Sequence, residues 1–183
     1  MKKILILAIA LAASAVSTTS FAQKTKMVGG AEMYPTKDIV DNAVNSKDHT
    51  TLVAAVKAAG LVETLKSDGP FTVFAPTNAA FDKLPAGTVG TLVKPENKAT
   101  LTKILTYHVV AGRFSAKDIA KAIRAGKGTA QFKTVSGGTL MAMMNGKSLI
   151  LKDETGATSL VTIRDVFQKN GVIHVIDSVI MPK

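Results

Sequence analysis

The chain has 183 residues, 23 Lys and Arg against 13 Asp and Glu, and neither cysteine nor tryptophan. Without cysteine it can carry no disulfide, no lipid-anchoring thiol, no catalytic thiolate and no Cys-based zinc site, so its stability must come from an apolar core. The formal charge of +10 favours anionic partners such as acidic polysaccharide or anionic lipid head groups, whereas two tyrosines offer too little base stacking for nucleic acid.

Lys2 and Lys3, the apolar run Ile4 to Ala13 and the small residues around Phe21 make up a secretory signal peptide, with cleavage expected after Ala22. The polar residues Ser17 to Ser20 arrive too early for a membrane span, which needs about 20 apolar residues. Processing leaves 161 residues, Gln23 to Lys183, with a formal charge of +8 and an expected location in the periplasm or the medium. That length suits one domain with a substantial core, and nothing repeats at solenoid or propeller spacing. Residues 23–34, polar and interrupted by Gly29-Gly30, read as a flexible N-terminal leader, and the domain is expected over 35–183.

Three short helical patterns follow between Thr36 and Lys66, carried by Ile39, Val40, Ala43 and Val44, then by Leu52, Val53, Val56 and Ala59, then by Leu61, Val62 and Leu65. Asp48 is a candidate cap for the second and Gly60 its stop. Asp68-Gly69-Pro70 is a turn into a strand that begins at Phe71. Phe71 to Pro85 then changes period: Phe71, Val73 and Ala75 alternate with Thr72, Phe74 and Pro76, after which Thr77 or Asn78 can cap a short helix carrying Ala80, Phe81 and Leu84. Val89 to Val93 form another helical turn, and Pro95 opens a longer helix whose inward residues are Leu101, Ile104 and Leu105. Tyr107 to Val110 is expected to leave that helix as extended chain. Ser115 with Asp118 resembles a capping box for a helix ending at Gly126.

Beyond Thr129 the pattern is strands divided by Gly137-Gly138, Asn145-Gly146 and Asn170-Gly171. Hairpins closing on the two Asn-Gly pairs set Met144 opposite Lys147, Met143 opposite Ser148 and Met141 opposite Ile150. In the second, Phe167 faces His174, Asp165 faces Ile176, and Arg164 forms a cross-strand ion pair with Asp177.

The residues supply few chemical constellations. His49, His108 and His174 lie far apart with no short-range ligand pair, so they read as structural histidines and no metal site is expected. Ser136-Gly137-Gly138 and Ser148 lack a nucleophile elbow, Asp153-Glu154 reads as a solvated edge, and nothing selects a working pair from distant carboxylates such as Asp82 and Asp165. Met141, Met143 and Met144, with Leu140, Leu149 and Leu151, read as core, or else as a pocket or surface for an apolar ligand.

Three segments in order, Phe71 to Pro85, Tyr107-His108-Val109-Val110 and Asn170 to Pro182, resemble the motifs of a single fasciclin-like domain of the bacterial secreted type. The resemblance implies an α+β fold with a β-sandwich or wedge core and a bundle of short helices packed around it. It implies a role in adhesion or surface interaction, at a cell surface or in extracellular matrix; the residues themselves single out no catalytic group, and no cofactor is expected. Carried over to this chain, its interaction candidates are Tyr107, His108, Asp118, Ile119, Ile176 and Asp177. The expected function is therefore a non-catalytic exported, monomeric module for cell adhesion or host contact. A cell-surface protein or an anionic polysaccharide is the expected partner, with peripheral membrane-surface contact also open. The alternatives are a carrier of an apolar ligand, lipid or pigment, and an enzyme working through His108, His174 and Asp177.

Overall fold

The computed structural model describes residues 24–183; the expected signal peptide lies outside them. The segment expected as a leader instead opens the fold. Strands β1 (Lys26–Val28) and β2 (Ala31–Met33) pair across Gly29-Gly30, whose φ angles of 57° and 74° suit glycine. Val28 and Met33, each 3% exposed, enter the core, and that burial orders a stretch whose sequence shows no periodicity.

Helices α1 (Ile39–Ala43), α2 (Thr50–Ala59) and α3 (Val62–Lys66) match the three apolar patterns. Asp38 caps α1 through the Asp41 N–H, and Gly60 ends α2 at a φ of 73°. Asp48 does not cap α2; it sits in a single turn of 3₁₀ helix at Lys47–His49. Strand β3 (Phe71–Pro76) then leads into α4 (Asn78–Asp82), which Thr77 caps by accepting from Ala80 N–H at 3.2 Å. Asn78 reaches across the chain: its Oδ1 accepts from Thr51 N–H at 3.0 Å and its Nδ2 donates to the Lys47 carbonyl at 2.8 Å. The N-terminus of α2 is thus capped by a residue 27 positions away.

The chain continues through α5 (Thr88–Leu92), α6 (Lys98–Tyr107), strand β4 (Val109–Ala111) and α7 (Ala116–Ala125). Ser115 and Asp118 form a reciprocal capping box on α7. Strands β5 (Thr129–Lys133), β6 (Thr139–Asn145), β7 (Ser148–Lys152), β8 (Thr158–Gln168) and β9 (Gly171–Ile176) complete a seven-stranded sheet ordered β4-β3-β9-β8-β7-β6-β5. Only β3 and β9 run parallel. The sheet curls until its two edges nearly meet, where Val110 bridges Thr134 and Val135 N–H donates to the Val109 carbonyl at 2.8 Å.

This curl places apolar cores on both sides of β3 and β9, which is why β3 is buried on both faces from Thr72 to Pro76. On one side Val73, Ala75, Ile173 and Val175 pack beneath the helical layer with Leu52, Val56 and Leu105. On the other, Phe74 and Ile176 join Ile119, Phe132, Leu140, Leu149 and Leu151 inside the curl. The architecture is the expected α+β wedge with short helices around it.

Both hairpin registers differ from the Asn-Gly expectation by two residues. In the first, Met144 faces Leu149, Met143 faces Ile150 and Met141 faces Lys152, because the turn occupies Gly146-Lys147. Gly146 has a φ of 59° and Lys147 does not share it, the sign pattern of a type II′ turn. In the second, Gln168 faces Gly171 and Phe167 faces Val172. Two further register shifts between Val161 and Val166, with Asp165 at a φ of 58°, pull Arg164 out of line with Asp177. The expected ion pair is absent from the salt bridges of the described residues, and Asp177 instead meets Lys83 at 3.4 Å. Met141 and Met143 are half-buried on the outer face of the sheet and Met144 is exposed, while Leu140, Ala142, Leu149 and Leu151 fill the core.

Candidate functional site

Four of the six interaction candidates are core residues. Tyr107, Ile119 and Ile176 are fully buried and His108 is 2% exposed. The Tyr107 hydroxyl donates to the Thr139 carbonyl at 2.8 Å and accepts from Glu154 N–H at 3.2 Å; burial pushes its pKa up to about 12. Ile119 points from α7 into the inner core beside Ile176 of β9. Asp118 is exposed, and its bonds to the Ser115 hydroxyl and N–H hold its carboxyl below the usual range. Burial works to raise the Asp177 carboxyl, yet the Leu160 N–H, the Ser178 hydroxyl and Lys83 together hold it below its ordinary value. The fold therefore leaves Asp118 and Asp177 at the surface, each already engaged by its own chain.

The histidines sort by their partners. His108 Nδ1 donates to the Ile104 carbonyl at 2.9 Å, and its Nε2 accepts from Ile180 N–H at 3.2 Å. A carbonyl demands a donor and an N–H an acceptor, so the ring is neutral with one defined tautomer. Burial depresses its pKa to about 4. His174, stacked on Phe74 at 5.6 Å, likewise donates from Nε2 to the Phe114 carbonyl and accepts at Nδ1 from Asp165 N–H, and burial lowers its pKa. Both nitrogens of both rings are taken by backbone groups, so neither is free to move a substrate proton. Among the described residues no three His, Asp or Glu side chains group as metal ligands.

His49 differs. Its Nδ1 shares a 2.8 Å hydrogen bond with the Ser46 hydroxyl, but its Nε2, in a side chain only 3% exposed, has no partner. Burial lowers its pKa, against the nearby Asp48 carboxylate and the Ala75 backbone, which favour the proton. The ring lines a cavity of about 80 Å³ between the helical layer and the sheet, walled by Leu52, Val56, Leu65, Val73 and Ile173. The periodicity of α2 marks Leu52 and Val56 as core, yet no sequence signal says that the core beside them is underfilled.

A second feature is electrostatic. Lys117, Lys121 and Arg124 recur along α7 at spacings of four and three, all exposed, and Lys127 follows. None takes part in a salt bridge among the described residues, because the one carboxylate of the helix, Asp118, is turned to its cap. The sequence contained this spacing, but a count of basic residues along the chain reads it as scatter.

The Fasciclin domain family model matches residues 47–182. The chain belongs to the fasciclin domain family. It is 44% identical over 164 residues to Protein sll1483 of Synechocystis sp., covering 87% of this chain and 82% of that one. It is 41% identical over 145 residues to Immunogenic protein MPB70 of Mycobacterium bovis, covering 76% and 66% respectively. Human periostin is 32% identical over 135 residues, 74% of this fasciclin chain but only 15% of periostin. A solved FAS1 domain pair from the insect cell adhesion molecule fasciclin I superposes with a TM-score of 0.70 at 18% identity, covering 79% of this chain and 51% of that one. The fold is that of the FAS1 domain.

Proposed function

We propose that this fasciclin domain is a non-catalytic, extracytoplasmic adhesion module that holds anionic polysaccharide at a cell surface. The observation that carries the reading is the ridge of Lys117, Lys121 and Arg124 on α7, with Lys127 just beyond its end, exposed cations uncompensated by any salt bridge among the described residues. Such a row of charges attracts a polyanion over roughly a Debye length, about 8–10 Å at physiological salt, without needing a deep pocket. The expected signal peptide supports export, and the relationship to a domain pair of a cell adhesion molecule supports the adhesive role.

The test is retention on immobilised alginate across a salt gradient. The protein elutes later than a neutral control and earlier as salt rises, and the triple variant Lys117→Gln, Lys121→Gln, Arg124→Gln elutes at clearly lower salt. If Lys94→Gln, Lys98→Gln, Lys103→Gln lowers the elution point as much, diffuse net charge and not the ridge is responsible. A strain lacking the protein should attach less to polysaccharide-coated surfaces; unchanged attachment would refute the adhesive role.

A further inference from the structure

The cavity beneath the helical layer combines two properties seldom found together in a well-packed core. Its wall is almost wholly hydrocarbon, and it holds a buried nitrogen with no partner, Nε2 of His49. A buried polar atom left without a hydrogen bond calls for a reason, since native interiors satisfy nearly all of them. A resident water answers poorly, because a buried water needs two to four polar partners. The other polar side chains reaching this wall are already used or lie toward solvent: both nitrogens of His108 are bonded to backbone, Lys57 and Thr64 are exposed, and the Thr106 hydroxyl donates to the Thr102 carbonyl at 2.7 Å. The Ala75 backbone lies near enough to favour a proton on the ring but makes no hydrogen bond with Nε2.

We propose that this cavity is a binding site for the end of a small, uncharged, mainly hydrocarbon molecule bearing one hydroxyl group, which hydrogen-bonds His49 Nε2. The size limits the ligand. At about 80 Å³ the cavity is well short of the roughly 150 Å³ engineered cavity that takes a benzene ring, so it admits a short chain or the tip of a longer one. Its wall also includes the exposed Lys57, Thr64 and Val135, so the rest of a longer molecule has a way out to the surface. The hydroxyl follows from the tautomer. The Ser46 hydroxyl can donate to or accept from Nδ1, leaving Nε2 as donor or acceptor, and a ligand hydroxyl complements either state whereas a carbonyl only accepts and an ammonium only donates. A charged head group is disfavoured at this position because the charged side chains nearby, Lys57 and Asp48, are exposed to solvent and the wall at His49 is hydrocarbon, so its desolvation would go uncompensated. This site lies apart from α7, so its success or failure is independent of polysaccharide binding.

The test uses the purified protein with ¹³C-labelled methyl groups and ¹⁵N-labelled histidine, titrated with 1-butanol and with 1-chlorobutane, which has the same chain without the hydroxyl. Butanol should shift the methyl resonances of Leu52, Val56, Val73 and Ile173 saturably and move the His49 Nε2 signal, while chlorobutane shifts the methyls alone. His49→Leu should lower butanol affinity relative to chlorobutane about tenfold, the ratio expected for one net hydrogen bond, and leave alginate retention unchanged. Absence of saturable methyl shifts with either probe would overturn the site, and equal movement of Nε2 by both would overturn the hydroxyl. If His49→Leu does not fold, the Nε2 comparison in the unsubstituted protein still decides.

Discussion

Asn170 offers a sharp test of what organises this fold, because its position in the sequence and its position in the structure assign it different jobs. As the first residue of Asn-Gly it reads as a turn former, but its φ is not positive and the turn falls at Lys169-Asn170. Its side chain, in a residue 4% exposed, joins three elements. Oδ1 accepts from Ile39 N–H at 3.0 Å at the start of α1, and Nδ2 donates to the carbonyls of Leu65 and Ser67, both at 2.8 Å, at the end of α3. Asn170→Ala strands one N–H and two carbonyls. Net hydrogen-bond contributions of about 0.5–1.5 kcal/mol each give a loss of about 1–3 kcal/mol, since the Ser67 carbonyl, on an exposed residue, recovers water. For a domain of this size that lowers Tm by roughly 2–12 °C.

Asn170→Asp separates the two accounts. Asp serves in turns nearly as well as Asn, so a turn role predicts almost no loss. In the observed geometry an anionic oxygen replaces the donor facing Leu65 and Ser67, so at pH 7 the Asp variant must be less stable than the Ala variant. Urea unfolding with matched m-values measures the order directly. An Asp variant at least as stable as the Ala variant would show that the bridge between α1, α3 and the sheet is not what Asn170 contributes.

Two other expectations follow from buried rings. His108 is held neutral to about pH 4, whereas the unfolded chain takes up its proton near pH 6.5. Its contribution is fully present above the unfolded value, is lost as pH falls toward 4 and changes little below it. Between pH 7 and 4.5 this group alone should remove about 2 kcal/mol of unfolding free energy, with His49 and His174 acting in the same direction. His108→Gln should flatten that fall when urea midpoints are compared at the two pH values; an unchanged slope would disprove the assignment. Gly138→Ala should cost about 1–3 kcal/mol, because its Cβ would stand 2.8 Å from Cε2 of the fully buried Tyr107, whose hydroxyl is fixed at both sides. Near-UV circular dichroism reports on this ring with little interference, the only other tyrosine being the exposed Tyr34.

Local chemistry was legible wherever one segment decides its own structure. The period change at Phe71 to Pro85 locates β3 and α4, Ser115 and Asp118 locate the start of α7, and Gly60 ends α2, because caps and left-handed turns act within a few residues. What needed a distant partner was not legible. Asn78 looks like a rival of Thr77 for one cap, and only the fold shows that each caps a different helix. The hairpin at Asn170 closes one residue before its dipeptide signal because Gly171 serves a packing need: a Cβ there would lie 2.2 Å from the Phe71 carbonyl oxygen of the neighbouring parallel strand. The same dipeptide at Asn145-Gly146 marks a true positive-φ turn, so identical letters carry different physics.

The three histidines take that lesson to the question of function. Each sits in sequence beside apolar or β-branched neighbours, and each is buried, so sequence assigns them one bland role. What separates them is which backbone groups face their nitrogens, and those groups come from elsewhere in the chain: Ile180 lies 72 residues from His108, and Phe114 lies 60 from His174. His108 and His174 are thereby closed as chemical groups; each stitches a remote segment onto the core and does so only while neutral. His49 is packed as deeply, but its Nε2 makes no such bond, and the empty volume in the core lies at its ring. A buried side-chain atom left without a hydrogen bond, where the described residues otherwise satisfy theirs, is where function is to be sought, which is why the binding proposal rests on His49 and not on the Tyr107-His108 pair that the sequence made conspicuous.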